Sequence, residues 1–171
     1  YADLNFDLSS NFGQKGFVNH RDKNSRRQVP WQRLFLVDGE RKVLPIAQRP
    51  KPADPFFPDL PGGFYETPVA LNVIKGERST LLVDEERLTQ RDPAWYDGMF
   101  VAVHGGNNHV YFARPRAYDP EAHELRLPHF SKKTYKQTEY ALFNAPKLID
   151  RPGEWSLVPL EEGRTRVFLL P

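Results

Sequence analysis

The chain has 171 residues and no cysteine, and 24 Lys and Arg against 22 Asp and Glu leave a formal charge of +2. So small a charge gives no drive toward nucleic acid or an anionic membrane surface, and the missing thiols exclude disulfides and thiolate metal sites. Sixteen prolines and eleven glycines argue against long helices, while aromatic residues (13%) supply buried area that a 39% hydrophobic content leaves short.

The chain opens on Ala2-Asp-Leu-Asn-Phe-Asp-Leu8, where Leu4, Phe6 and Leu8 alternate with acidic and amide residues as in a half-buried strand. Residues 20–28 carry four basic side chains and read as a solvated loop. Residues 31–47 form a hairpin pattern: an apolar run from Leu34 to Val37, the turn-forming pair Asp38-Gly39, and a second apolar run. A proline-rich loop follows at about 48–63, where Pro50, Pro52, Pro55, Pro58 and Pro61 leave no regular ladder. Its Phe56 and Phe57, with Phe64 and Tyr65, expose more apolar surface than a free monomer tolerates, which predicts docking on a neighbouring domain or a second copy.

Strands are predicted at 69–74 and 79–83, and Asp84 can cap one helical turn over 84–88. Residues 93–98 make a turn rich in large rings, 99–104 and 109–114 pair as strand and return strand, and 115–124 turns again before a short strand at 125–127. Near the end, Tyr140, Leu142 and Asn144 alternate with Ala141, Phe143 and Ala145, then Pro152-Gly153 turns the chain into strands starting at Trp155 and Arg166. Trp155, opening a strand directly after that corner, is expected to anchor the core. The strand spacing predicts one all-β domain over 1–171, an antiparallel β-sandwich or barrel with short helical turns.

Motifs for chemistry are sparse. No G-x-S-x-G occurs, and the histidines show no H-x-H or H-E-x-x-H spacing. His104 and His109 flank a turn but lack a third ligand, so no metal or cofactor is expected. Glycoside hydrolysis needs two carboxylates held roughly 5–10 Å apart; the spacing of Asp84, Glu85, Glu86, Asp97, Asp150 and Glu154 selects no pair, and Glu154 suits a hydrogen bond to turn amides. Flat rings beside amides and arginine suit sugar, whose apolar C–H faces stack on them. Trp95 and Tyr96, with Asn107, Asn108, Tyr111 and Arg114 on the next hairpin, are the candidate carbohydrate-binding residues; the competing reading has Trp95 and Tyr96 plugging one end of the core. One strand of about six residues separates the two turns by ~20 Å, which points to an extended oligosaccharide along the strand instead of a monosaccharide pocket.

Three stretches in order resemble one family. Leu34-Phe-Leu-Val-Asp-Gly-Glu40 through Ile46-Ala-Gln-Arg-Pro50, Asp92-Pro-Ala-Trp-Tyr-Asp-Gly-Met-Phe100, and Tyr140-Ala-Leu-Phe-Asn144 through Pro152-Gly-Glu-Trp155 to Phe168-Leu-Leu-Pro171 are similar to segments of secreted glycoside hydrolases and polysaccharide lyases built on right-handed parallel β-helices. Phe100 and Ala47-Gln-Arg-Pro50 depart from the family pattern, which has a second Trp and an aromatic-Pro-Asn there. The resemblance implies a small β-domain inserted between helix coils, secreted or periplasmic, with catalytic residues on coils that this chain lacks. It therefore implies a non-catalytic accessory domain that binds polysaccharide or oligosaccharide or shapes the cleft, beside a neighbouring β-helix domain. Two alternatives stay open: a small hydrolase using carboxylates such as Asp97 and Glu154, and a purely structural insert. Tyr1 in place of an initiator Met suggests a processed chain or excised domain.

Overall fold

The computed structural model describes residues 1–4, 38–40, 44–51, 65–67, 72–74, 79–104, 110–129, 138–161 and 164–171. The hairpin flanks around Asp38-Gly39 and most of the proline-rich loop, with Phe56, Phe57 and Phe64, lie outside the described residues. Within them run twelve short strands and one 3-10 turn, at Pro146–Leu148. The strand ladders are antiparallel, and the fold is an all-β antiparallel sandwich, as the spacing of turns and apolar runs predicts. The chain divides into two compact units, one of residues 49–143 and one of residues 1–48 with 144–171.

In the first of these, β4 (Asn72–Ile74), β5 (Ser79–Val83), β8 (Ala117–Asp119) and β9 (Glu124–Pro128) form one sheet in the order β4-β5-β9-β8. Period-two alternation puts Leu82, Leu125 and Tyr118 in a row across three strands, and Thr80 opposite Leu127 in the next. These five are buried, while Arg126 between the two leucines is half-buried. A second sheet pairs β3 (Tyr65–Thr67) with β10 (Thr138–Phe143), β10 with β6 (Phe100–His104), and β6 with β7 (Val110–Ala113). Phe100 to Val103 and Tyr140 to Phe143 are buried without alternation, because β6 and β10 are covered on both faces. Each fully buried Leu or Phe contributes about 1.5–3 kcal/mol, so these two paired strands add substantially to the hydrophobic stabilisation of the unit. β2 (Gln48–Arg49) lies at the passage from one unit to the other.

The other unit is built on β1 (Ala2–Leu4), β11 (Trp155–Pro159) and β12 (Thr165–Leu169), in the order β1-β12-β11. Trp155, Leu157 and Val167 are buried here with Ala47, Ala145 and Leu148. The corner before Trp155 needs its glycine: Gly153 has φ 83°, a region that costs a Cβ-bearing residue, and its N–H donates to the Leu170 carbonyl at 2.7 Å. Asn144, at φ 57°, does what a strand backbone would do. Its Oδ1 accepts the Leu157 N–H at 2.8 Å and its Nδ2 donates to the Leu157 carbonyl at 3.0 Å. On β1, Asp3 takes a two-pronged bond from Arg166 of β12, at 2.6 and 2.8 Å, an exposed pair of the kind that contributes little to stability.

One group in this sheet is unsatisfied. Ser156 is 0% exposed and its hydroxyl has no hydrogen-bond partner. A buried polar group left so costs on the order of 1–3 kcal/mol. Ser156→Ala is therefore expected to leave stability unchanged or raise it by up to about 2 kcal/mol, since the methyl keeps most of the volume. Urea unfolding checks this; a loss above about 1 kcal/mol would show that the hydroxyl is bonded in solution.

Candidate functional site

The turn ahead of β6 fixes its rings by local hydrogen bonds. Asp92 accepts the Ala94 N–H on its side chain at 2.9 Å and the Trp95 N–H on its carbonyl at 3.0 Å. The Asp97 N–H then donates to the Ala94 carbonyl at 3.1 Å, and Gly98, at φ 76°, sends the chain into the strand. Trp95 is half-buried at the surface and meets Tyr96 edge-to-face, ring centroids 4.8 Å apart. Tyr96 is 1% exposed and sits edge-on against Tyr118, 4.5 Å away. Its ring is thus packed in the core, while that of Trp95 stays half-buried.

The β6–β7 register orders the remaining candidates. Val101 lies opposite Ala113 and His104 opposite Val110, so residues 100 and 114 share one end of the ladder. Arg114 is exposed there, its guanidinium over the Phe100 ring at 4.6 Å. Trp95 precedes β6 at that same end. Tyr111 falls on β7 opposite Val103. Asn107 and Asn108 lie outside the described residues; the chain leaves β6 toward them at His104, four residues or ~14 Å along the strand from Phe100. The register thus sets Arg114 beside Phe100, at the end of the ladder away from His104.

A second group was only partly legible in the sequence. Asp84, at the end of β5, caps the expected turn: its Oδ1 accepts the N–H groups of Glu86 and Arg87, both at 3.1 Å. Its Oδ2 accepts the Tyr140 hydroxyl at 2.9 Å and the Arg87 guanidinium at 3.2 Å. Asp84 is 2% exposed, and four donors satisfy its carboxyl group inside the unit. Arg87 also covers the Tyr65 ring at 5.1 Å, and Tyr65 tilts against Tyr140 at 5.4 Å. Burial pushes the Tyr140 hydroxyl well above the usual tyrosine range, and the Asp84 charge beside it pushes the same way. Burial raises Tyr96 likewise, helped by Tyr118 and Asp84. Both environments favour the protonated phenol, and in that form Tyr140 donates to Asp84.

Nearby, the Leu88 carbonyl accepts the Tyr118 hydroxyl at 2.6 Å and a bond from His123 Nδ1 at 2.8 Å. A carbonyl can only accept, so Nδ1 carries the proton. His123 takes φ 51° at the β8–β9 turn, and its own carbonyl accepts the Asp84 N–H at 3.1 Å.

No family model, curated protein or solved structure matches the chain.

The site is accordingly read from its chemistry. Glu154 is buried and its Oε2 accepts the Asp150 and Arg151 N–H groups at 3.0 and 3.3 Å, the turn-holding job that its place in the corner predicts. Asp97 is exposed. Among the described residues no three His, Asp or Glu side chains are grouped to hold a metal ion. What the sequence missed was the pairing partners: Tyr140 lies 56 residues from Asp84, and Tyr118 lies 30 from Leu88.

Proposed function

We propose that this chain is a non-catalytic accessory domain of a secreted polysaccharide-degrading enzyme of the parallel β-helix kind, where it binds an extended carbohydrate segment or shapes the cleft. The observation that carries the reading is the Trp95 indole, half-buried in a turn fixed by Asp92; Arg114, exposed beside Phe100, is the second candidate. A ring gives a sugar its stacking surface and a guanidinium gives fixed donors for hydroxyls. Binding through a ring and a guanidinium instead of a closed pocket suits a polymer segment.

Of the two carboxylates in the hydrolase alternative, Glu154 is engaged by turn amides and Asp97 is exposed. The structural-insert reading is favoured by one observation, the burial of Tyr96. An array of defined glycans separates it from sugar binding. Wild-type protein should bind oligosaccharides, and Trp95→Ala should lose about tenfold in affinity, the ~1.4 kcal/mol expected for one stacking ring. No binding to any glycan would favour the structural insert.

A further inference from the structure

Resting on that reading, we propose that Tyr96 and Tyr118 are positioning residues for the sugar-stacking ring, a buried aromatic column that sets the angle at which Trp95 is presented. Three rings stack edge-to-face in series: Trp95 on Tyr96 at 4.8 Å and 73°, then Tyr96 on Tyr118 at 4.5 Å and 67°. Edge-to-face contacts are directional, because the positive ring edge seeks the negative face, so each ring fixes the tilt of the next. The base of the column is tied down by polar bonds. Tyr118 donates to the Leu88 carbonyl at 2.6 Å, and His123 of the same β8–β9 turn grips that carbonyl from its own side chain. Leu88 closes the turn that Asp84 caps, its N–H donating to the Asp84 carbonyl at 3.0 Å.

The consequence is preorganisation. A free surface indole loses rotamer freedom on stacking against a sugar, and a held one has lost it already. Tyr96 never touches the ligand in this arrangement, which gives a buried ring in the candidate group a role through Trp95.

The test uses the whole chain with cellohexaose, xylohexaose, mannohexaose and hexagalacturonate as probes, measured well below the melting temperature. Two readouts are taken for Tyr118→Met, Tyr96→Met and Tyr118→Phe: affinity by calorimetry, and the near-ultraviolet circular dichroism band that Trp95→Ala removes. Tyr118→Met, which keeps volume without a ring, should weaken binding at least about fivefold and shrink the Trp95 band, whereas Tyr118→Phe keeps the ring but loses its tie to Leu88 and should lose less of both. Tyr96→Met should behave as Tyr118→Met, and it decides the matter if Tyr118→Met does not fold. Methionine variants that melt lower yet bind with parental affinity and an unchanged band overturn the proposal, leaving the rings a packing role. Wild type that binds none of the four probes overturns the carbohydrate reading and this proposal together; loss in Trp95→Ala without loss in the methionine variants overturns this proposal alone.

Discussion

Trp155→Ala is expected to destabilise the chain by about 3–5 kcal/mol, the range for deleting a large buried ring. The indole is 2% exposed, and its Nε1 donates to the Leu44 carbonyl at 2.7 Å. The backbone of the same residue is engaged twice more: its N–H donates to the Pro45 carbonyl at 3.2 Å, and its carbonyl accepts the Ala47 N–H at 2.7 Å. One residue thus holds segment 44–47 by its ring, its N–H and its carbonyl. Alanine keeps the two backbone bonds and removes the ring and its donor, leaving a cavity and an unbonded carbonyl. Trp155→Phe separates these parts: it keeps most of the volume and should cost only about 1–2 kcal/mol, for the hydrogen bond and the remaining gap. Chemical denaturation of both variants checks the argument. A midpoint for Trp155→Ala within error of the parent would refute the anchor role.

Asp84→Ala is the second change with a large expected effect, about 3–4 kcal/mol. Deleting one partner of a buried charged cluster costs about 3–5 kcal/mol because the others lose their acceptor. Here the stranded groups are the Tyr140 hydroxyl, two turn amides and the Arg87 guanidinium. The Arg87 side chain is 32% exposed and can turn to water, which trims its share; Tyr140, at 0% exposure, cannot. Asp84→Asn keeps an acceptor for the amides and lets the new amide face the Tyr140 oxygen, so it should cost about half as much, chiefly through the lost charge pairing with Arg87. Urea unfolding of both variants measures the difference. Equal losses for alanine and asparagine would contradict the division of roles between Oδ1 and Oδ2.

The elements legible in the sequence were those with local signals. The β6–β7 pair, the β4–β5 pair and the strands after Pro152-Gly153 each combine an apolar run with turn chemistry, and each is found near its expected place. β8 was read as turn because Ala117-Tyr118-Asp119 is too short to alternate and stands between Pro115 and Pro120. Its one inward residue, Tyr118, nevertheless completes the row with Leu82 and Leu125. The 3-10 turn at Pro146–Leu148 was missed for the same reason of length, although a proline at the first helical position is its natural signal.

The candidate site was legible as a composition of rings and amides, not as a geometry. A tyrosine in a turn can face water or the core, and neighbouring Trp95 and Tyr96 differ in this: one stays at the surface and one is buried against Tyr118. That outcome depends on a ring 22 residues further along the chain, which no local pattern announces. Asn144 hides its role similarly. As a sequence it ends a strand; in the fold its amide replaces a backbone partner for Leu157.

The most direct test of the account is a calorimetric titration of the whole chain with one oligosaccharide series, from monosaccharide to hexasaccharide. The proposed binding of an extended carbohydrate segment through Trp95 and Arg114 predicts weak binding that strengthens with each added unit, and that falls at every length in Trp95→Ala. Tight binding of the monosaccharide, or equal affinities in the parent and Trp95→Ala, would contradict it.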